Sequence, residues 1–174
     1  MEEEIRLAME GDADAFLVLM DRYNQQMYKT AWSILKRDAD VADAIQETII
    51  NCYEKIHTLR SPAFFRTWVM RILINECYQI LRREKPYVEL TEELVRETFE
   101  DTGGTERFKF QELLYYADKK YHLLLTLFYA DEYTIPEIAK MLDMNENTVK
   151  TQLRRARQQI RRGLDEEKYL YCGY

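Results

Sequence analysis

The stretch TIPEIAKMLDMNENTVKTQLRRARQQIRRGL, at residues 134–164, decides the fold expected for the rest of the chain. In its second half, apolar residues recur at spacings of three and four, which places them along one side of a helix. They are Val149, Leu153, Ala156, Ile160 and Leu164. The opposite side is cationic and polar, with Lys150, Thr151, Arg154, Arg155, Arg157, Arg161 and Arg162. A helix with one apolar and one cationic side is typical of an element that lies against nucleic-acid phosphates.

The first half of the same stretch predicts a shorter helix that begins at Thr134. Glu137 follows three residues later, as in a capping box, and Pro136 falls in the first turn, where its missing N–H is tolerated. This helix should end near Asp143, and Asn145 is placed to cap the next one. Helix, turn and basic helix together form a helix-turn-helix, whose second helix enters the major groove of DNA.

An ordinary helical hairpin with a solvated charged side is the alternative for this stretch. It is disfavoured because like charges three and four residues apart destabilise a helix unless a polyanion neutralises them.

Charge is distributed unevenly along the 174 residues. The formal net charge of −6, taken alone, argues against nucleic-acid binding. However, residues 146–163 contain six Lys or Arg and one Glu, and residues 57–85 contain six Lys or Arg and two Glu. Two basic segments therefore lie in an acidic chain, whose remainder suits protein partners or suppresses nonspecific DNA binding.

Cysteine and histidine placement argues against a metal site or an enzyme. Cys52, Cys77 and Cys172 are odd in number and far apart, so they predict reduced and inert thiols. His57 and His122 fall in different segments, with no Ser-His-acid cluster or glycine-rich phosphate loop in the sequence. The acidic start is unlike a signal peptide, and no apolar run has membrane-spanning length. We expect a cytoplasmic protein that is not an enzyme, binds no cofactor or metal and does not insert into a membrane.

Helical spacing of apolar residues, together with 5 Gly and 3 Pro, predicts an all-α fold. Helices are expected at 2–10, from 14 to about 36, from a cap at Asp38 or Asp40 to about 56, from 67 to about 85, and again from 110. Acidic residues crowd the stretch after Pro86. We therefore predict two small helical domains, 1–85 and 110–168, joined by an acidic linker at 86–109 and followed by a tail at 169–174.

The third expected helix has an apolar side and an acidic, amide-rich side. Its apolar side is formed by Ala42, Ile45, Ile49, Cys52 or Tyr53, and Ile56. From the pattern alone, the other side is either a solvated surface or a partner-binding surface.

The stretch HTLRSPAFFRTW, at residues 57–68, lacks helical spacing and is predicted to be a loop. Aromatic and basic residues alternate in and just after it, namely Arg60, Phe64, Phe65, Arg66, Trp68 and Arg71. Unstacked single-stranded bases stack on such rings while guanidinium groups hold the backbone. The alternative is that Phe65 and Trp68 are core residues that fix the loop in place.

Three segments in register resemble the extracytoplasmic-function sigma factors of bacterial RNA polymerase. They are DVADAIQETIINCYEKI at 40–56, FFRTWVMRILIN followed by LRR within 64–83, and YTIPEIAKMLDMNENTVKTQLRRARQQIR at 133–161. The resemblance covers nearly the whole chain, including the position of the linker. It implies a transcription initiation factor that binds core RNA polymerase, directs it to specific promoters and melts their minus-ten element.

The resemblance also assigns three sets of residues. Those that dock on the clamp helices of the largest polymerase subunit are Asp43, Gln46 and Glu47. Those that contact the minus-ten element, first as duplex and then as single strand, are Arg60, Phe65, Arg66, Trp68, Arg71, Asn75, Arg82 and Arg83. Those that contact the minus-thirty-five element are Thr148, Lys150, Thr151, Arg154 and Arg155.

Regulation by an anti-sigma protein, often membrane-anchored in this family, is a further implication of the resemblance, and we expect the free protein to be a monomer. Family members usually have Gly in the helix-turn-helix turn where this chain has Asp143, so a slightly altered turn is expected. The alternative function is a conventional helix-turn-helix regulator that binds duplex DNA without polymerase. It leaves the aromatic basic segment unexplained, and a purely helical interaction protein leaves both basic segments unexplained.

Overall fold

A computed structural model describes residues 1–84, 110 and 112–171, and within these residues all regular structure is helical. The α-helices with defined bounds are α1 (Glu2–Met9), α2 (Ala13–Leu35), α3 (Asp38–Lys55), α4 (Phe65–Glu84), α5 (His122–Leu125), α6 (Ile135–Leu142) and α7 (Glu146–Tyr171). Residues 110 and 112–115 are also helical, as predicted. Short 3-10 turns lie at Ile56–Thr58, Pro62–Phe64 and Lys119–Tyr121, and a π-helical turn at Thr126–Ala130 continues α5. The all-α prediction is confirmed. The predicted linker and Cys172 lie outside the described residues, and the domain boundaries stay predictions.

The N-terminal domain is built from α1 to α4 around a core of long apolar side chains. Asp12 caps α2 by accepting a hydrogen bond from the N–H of Ala15 at 2.9 Å. Helices α2, α3 and α4 pack against one another, and their fully buried side chains include Leu19, Met27, Val41, Phe65, Met70 and Leu73. Each such side chain contributes about 1.5–3 kcal/mol through its removal from water.

The predicted cap of α3 is wrong. Neither Asp38 nor Asp40 caps it, because the helix begins at Asp38 and the residue before it, Arg37, makes no side-chain capping hydrogen bond. Both aspartates lie in the first turn, where their negative charge is favourable beside the helix N-terminus.

The predicted buried side of α3 is confirmed at Cys52 and Ile56 and is displaced by about one residue before them. The structure buries Val41, Ala44, Thr48 and Cys52, whereas Ala42 and Tyr53 are exposed, and Ile45 and Ile49 are half-buried. This helix packs against both α2 and α4, and its small Ala44 and Thr48 are fully buried. The Thr48 hydroxyl can be buried because it donates to the carbonyl of Ala44 at 2.6 Å.

The segment predicted as a loop at 57–68 is largely helical. Ser61 and Pro62 stand at the N-cap and first position of a 3-10 turn, and the Ser61 hydroxyl accepts from the N–H of Ala63 at 3.4 Å. The chain then enters α4 at Phe65, two residues before the predicted start. The Ser-Pro pair interrupts the helical spacing of the apolar residues. It also begins a new helical turn, because serine is favoured at the N-cap and proline at the first helical position.

The helix-turn-helix of the C-terminal domain, formed by α6 and α7, is confirmed. The backbone N–H of Thr134 donates to the Glu137 carboxylate at 2.8 Å, as the capping box requires. Asp143 ends α6 in the left-handed conformation, with φ of 53° and ψ of 47°. The aspartate therefore adopts the conformation for which glycine is the usual residue. Asn145 accepts from the N–H of Asn147 at 2.8 Å and caps α7.

Helix α7 packs on the rest of the C-terminal domain through the first part of its apolar stripe. Val149, Leu153 and Ala156 are fully buried, and Ile160 is partly buried. Leu164 is 40% exposed, so its predicted core position is wrong. The reason is that the helix continues to Tyr171, and its C-terminal part extends beyond the buried end of the stripe.

Gly163 allows α7 to approach Tyr116 closely. A Cβ at Gly163 would lie 2.3 Å from Cδ1 and 3.0 Å from Cβ of Tyr116. For Gly163→Ala, the gain in helix propensity of about 1 kcal/mol is opposed by an overlap that typically costs about 1–3 kcal/mol. We expect a lower free energy of unfolding in urea. Gln158→Ala, at an exposed site on the same helix, controls for propensity. A more stable Gly163→Ala protein would contradict the close contact.

Candidate nucleic-acid interface

The three residues assigned to polymerase binding lie together on one exposed side of α3. Asp43, Gln46 and Glu47 are all exposed, and their spacing of three and four places them on one helix face. They line a groove of ≈ 370 Å³, whose other wall is Glu76, Gln79, Ile80 and Arg83 of α4. The groove is mainly acidic and amide-lined, which suits a helical partner that offers basic side chains.

The residues assigned to the minus-ten element divide into different environments. Arg60, Arg71, Asn75, Arg82 and Arg83 are exposed, as a DNA-binding role requires. Arg83, however, lies in the acidic groove of α3 and α4, on another side of α4 from Arg71 and Asn75. Its place in the groove gives it a second candidate partner, the polymerase.

Two rings assigned to the minus-ten element pack against the core. Phe65 is 0% exposed, and its ring meets that of Tyr23 edge-on at 5.5 Å. A fully buried ring cannot stack on a base, so the DNA contact assigned to Phe65 is corrected to a core position. Trp68 is half-buried, with its ring 6.2 Å from that of Phe65. Phe64, which is 53% exposed, is more exposed than Phe65 or Trp68 and can meet a base.

The spacing of apolar residues in the sequence already indicates that Phe65 is buried. Phe65, Val69 and Leu73 recur every four residues, so a helix that begins at Phe65 places all three on its buried side. Phe64 then falls outside that stripe.

Arg66 faces the C-terminal domain. Its guanidinium donates a hydrogen bond to the backbone carbonyl of Asp131 and lies over the ring of Tyr133, with Cζ 4.0 Å from the ring centroid. Stacking of this kind is favourable because the negative face of the ring attracts the cation. Arg66 is half-buried, so this contact takes part of the cation out of water.

A hydrogen-bonded network surrounds Arg66 and joins the two domains. The Thr30 hydroxyl donates to the Asp131 carboxylate at 2.8 Å, and both side chains are buried. Gln26 donates to the Tyr133 hydroxyl at 3.3 Å, and that hydroxyl donates to the carbonyl of Arg66 at 3.4 Å. Sequence reasoning missed this contact, because Thr30 and Asp131 lie 101 residues apart. The polar Thr30 within the apolar stripe of α2 was the available signal.

Burial raises the pKa of the Asp131 carboxyl to about 6, against the opposing influence of the Thr30 hydrogen bond and the cations of Lys29 and Arg66. The folded protein therefore binds this proton more tightly than the unfolded chain, in which the pKa returns to its ordinary value of 3.8. The resulting stabilisation is complete below the ordinary value and is lost as the pH rises through about 6.

Lowering the pH from 7 to 4.5 should therefore stabilise the wild type relative to Asp131→Asn. We expect the difference in their free energies of unfolding to shift by roughly 1–2 kcal/mol in favour of the wild type. Urea titrations of both proteins at several pH values measure this difference, and the other titratable groups cancel because both proteins contain them. A difference that is independent of pH would contradict the buried carboxyl.

The residues assigned to the minus-thirty-five element lie together on the first turns of α7. Thr148, Lys150, Arg154 and Arg155 are exposed and Thr151 is half-buried, all away from the buried stripe. The exposed Arg157 and Arg161 continue this cationic side along the helix. This arrangement presents cations and a hydroxyl group at the N-terminal part of a recognition helix, where base edges are read.

The described cysteines are buried, as inert thiols are expected to be. Cys52 and Cys77 are both 0% exposed, and burial raises the pKa of each thiol to about 12. Thiols held protonated in this way are poor nucleophiles. Among the described residues, no group of three or more His, Cys, Asp or Glu side chains could hold a metal ion. No helix in the same part of the chain is both long and apolar enough to cross a membrane.

Two helical domains, one with an exposed basic helix and the other with a helix-turn-helix, define a DNA-binding transcription protein. The family model of sigma-70 region 2 matches residues 19–87, and that of sigma-70 region 4 matches residues 118–160. The chain belongs to the sigma-70 family and to its extracytoplasmic-function (ECF) group. It is an alternative sigma factor, which directs RNA polymerase to promoters.

Similar proteins come from several bacteria. The chain is 28% identical over 148 residues to RNA polymerase sigma factor SigV of Bacillus subtilis, with 83% of this chain and 88% of SigV covered. It is 25% identical to SigW of the same organism, with 94% and 96% covered. It is 26% identical to the ECF sigma-E factor of Escherichia coli, with 90% of each chain covered.

Two solved structures share the fold. CnrH, determined in complex with the cytosolic domain of CnrY, matches with a TM-score of 0.68 and 21% identity, over 95% of this chain and 97% of CnrH. The sigma factor RpoE of Bartonella quintana, determined with the anti-sigma factor NepR, matches with a TM-score of 0.67 and 18% identity, over 87% of this chain and 95% of RpoE.

Proposed function

We propose that three separate surfaces of this alternative sigma factor carry its function. The α3–α4 groove binds core polymerase, α4 with the turn before it binds and melts the minus-ten element, and the first turns of α7 bind the minus-thirty-five element. The observation that carries the proposal is that most of the assigned polar residues are exposed, in distinct sets on the two domains matched by regions 2 and 4.

Binding to polymerase is assigned to Asp43, Gln46 and Glu47, with the clamp helices of the largest subunit as the partner. The exposure of all three residues and their shared groove support this assignment. A groove with several carboxylates and amides offers hydrogen bonds and charge complementarity to basic residues of a docked helix. Arg83 at its edge can pair with an acidic group on the same partner.

The minus-ten element is assigned to the exposed face that contains Arg60, Arg71, Asn75 and Arg82, with Phe64 as the ring that meets an unstacked base. Exposed arginines neutralise phosphates of both duplex and single-stranded DNA. An exposed ring beside them supplies stacking for a base that leaves the duplex, which lowers the free energy of melting. Phe65 supports this surface from the core, and the half-buried Trp68 remains assigned to the minus-ten element.

The C-terminal contact with the minus-thirty-five element is assigned to Thr148, Lys150, Thr151, Arg154 and Arg155. Their location on the second helix of a confirmed helix-turn-helix supports this assignment.

We assign regulation to an anti-sigma protein. The sigma factor RpoE, which has a related fold, was determined in complex with the anti-sigma factor NepR, and this supports the assignment. The protein acts in the cytoplasm, where RNA polymerase meets the chromosome, as a monomer before it joins the polymerase. It performs no chemistry itself and needs no cofactor, because the polymerase supplies the catalytic site. The conventional duplex-binding regulator is not favoured, since the region 2 match extends across the groove residues.

In vitro transcription tests the proposal. Purified protein is added to, or withheld from, bacterial core RNA polymerase on fragmented genomic template of the source organism, and RNA starts are mapped. We expect discrete starts that depend on the protein and share two upstream elements at a fixed spacing. Tight duplex binding by the protein alone, with no new starts, would instead identify a conventional regulator.

A further inference from the structure

Helix α1 packs on the turn that contains Phe64. Besides α2, the elements that α1 chiefly contacts are the 3-10 turns Ile56–Thr58 and Pro62–Phe64. Ile5 and Ala8, which are 5% and 2% exposed, are the residues that α1 buries in these contacts. The first helix of the N-terminal domain therefore lies against the turn whose ring can meet a base.

The turn Pro62–Phe64 buries none of its own residues. Besides α4, which follows it directly, α1 is the element on which this turn chiefly packs. Inside the turn, the N–H of Phe64 donates to the carbonyl of Ser61 at 3.1 Å. A 3-10 turn of three residues has few hydrogen bonds of poor geometry and little stability of its own. The position of the Phe64 ring therefore depends on the surface that supports the turn.

Two contacts fix α1 against α2. At the end of α1, Gly11 has a φ of 102°, and the N–H of Asp12 donates to the carbonyl of Leu7 at 3.0 Å, as in a Schellman motif. Nearer its start, the Glu4 carboxylate accepts hydrogen bonds from Nη1 and Nη2 of Arg22, at 2.8 and 3.0 Å. A bidentate pair fixes orientation as well as distance. Because a helix of eight residues is not stable alone, its position is set by such contacts.

We propose that α1 is a positioning element for base capture, which supports the turn Pro62–Phe64 and so holds the Phe64 ring where an unstacked base of the minus-ten element can stack on it. This inference rests on the proposed function, in which Phe64 meets that base. Ile5 and Arg22 are positioning residues, because Ile5 is buried in the contacts of α1 and Arg22 holds its start. When α1 detaches, the turn adopts other conformations, and only the fraction with the ring in place captures a base.

Ile5→Ala tests the support of the turn. Loss of this buried side chain leaves a cavity, which weakens the attachment of α1. Val41→Ala is the matched control. It also makes a cavity in the N-terminal domain, but near the start of α3, where Asp43 shares a groove with Arg83 at the far end of α4.

Two measurements are made on the full chain. Amide hydrogen exchange of the peptide that contains Ala63 and Phe64 measures how firmly the turn is held. Fluorescence anisotropy of the complex with core polymerase, titrated with the labelled non-template minus-ten strand of a mapped promoter, measures base capture. Core binding by Ile5→Ala, measured by fluorescence titration, should equal that of the wild type, because the groove of α3 and α4 contains no residue of α1.

We expect Ile5→Ala to exchange amides of the turn faster and to bind the strand about three- to tenfold more weakly, which is part of the contribution of one stacked base. Val41→Ala should match the wild type in both measurements. Phe64→Ala should bind about tenfold more weakly or worse, because the stacking surface is lost. The double variant should bind no more weakly than Phe64→Ala alone, since both changes act through one ring.

Losses of strand binding that multiply in the double variant would overturn the proposal, because α1 would then act independently of Phe64. Wild-type strand binding by Ile5→Ala would also overturn it. If Ile5→Ala fails to fold, Arg22→Ala, at an exposed site, replaces it with the same expected directions. Arg22→Lys, which keeps a cation beside Glu4, should then recover part of the loss.

Failure of this inference and failure of the proposed function are distinguishable. Weaker strand binding by Phe64→Ala together with wild-type binding by Ile5→Ala removes the role of α1 and leaves the minus-ten assignment of the turn intact. Wild-type strand binding by Phe64→Ala removes that assignment, and base capture through α1 is overturned with it. Hydrogen exchange of Ile5→Ala then shows separately whether α1 holds the turn.

Discussion

Charge reversal at Glu47 should abolish transcription that depends on this sigma factor. In Glu47→Arg, a cation replaces a carboxylate in the groove of α3 and α4, beside Arg83. A basic surface on the polymerase would then be repelled by this cation instead of being attracted by the carboxylate. Such a change at an interface costs about 2–5 kcal/mol of binding free energy. The corresponding loss of affinity for core polymerase is on the order of a hundredfold or more. Core binding by fluorescence titration and start-site mapping measure the two effects.

The control for this variant is Asp21→Arg, which makes a charge reversal at an exposed position of α2 outside the groove. It should fold, bind polymerase and initiate like the wild type. Because Glu47 is exposed, its own substitution should leave the thermal unfolding of the free protein nearly unchanged. Normal core binding by Glu47→Arg would show that the polymerase contacts another surface.

Local features of the fold could be predicted from sequence because they depend on neighbouring residues. The capping box of Thr134 and Glu137 and the cap at Asn145 involve atoms two or three residues apart, and both are present in the structure. The cationic and apolar sides of α7 follow from helical spacing alone, and Val149 and Leu153 are buried as predicted. The same reasoning failed at Leu164, because spacing does not show where the partner surface ends.

Features that depend on tertiary packing could not be read from spacing. On α3, the larger isoleucines suggested the centre of the buried side, but the small Ala44 and Thr48 are the fully buried residues, and this helix packs on both α2 and α4. The segment before α4 was predicted to bind DNA because of its aromatic side chains. Whether Phe65 is buried and Phe64 exposed depends, however, on the residue at which α4 begins.

The contact between the domains could not be predicted from local sequence patterns. Thr30, Arg66 and Asp131 belong to three distant parts of the sequence, and each has an ordinary local explanation. Arg66 was predicted to bind DNA from its basic surroundings, and the structure adds a competing partner within the same chain. The assigned interfaces came from residue type and family resemblance, whereas their accessibility came from the tertiary structure.

Replacing both Arg154 and Arg155 with Ala should remove recognition of the minus-thirty-five element. The two side chains are exposed on the third turn of α7, about 12–14 Å from its start, where a recognition helix meets base edges and phosphates. Loss of two such contacts costs roughly 2–3 kcal/mol, or about a 30- to 150-fold loss of promoter affinity in the polymerase complex. Folding should be unaffected or slightly improved, because alanine has the higher helix propensity and two like charges disappear.

Arg157→Ala with Arg161→Ala is the matched control, because it removes the same charge from the same exposed side of α7. Both double variants lose general electrostatic attraction to DNA, so the salt dependence of binding should weaken in each. Only the variant that lacks Arg154 and Arg155 should also lose its preference for the intact minus-thirty-five element over a scrambled minus-thirty-five element. Competition binding on a promoter with mapped starts measures this preference. Equal loss of that preference in both variants would mean that α7 contributes charge without reading sequence, and base contacts would then have to come from Thr148 and Thr151.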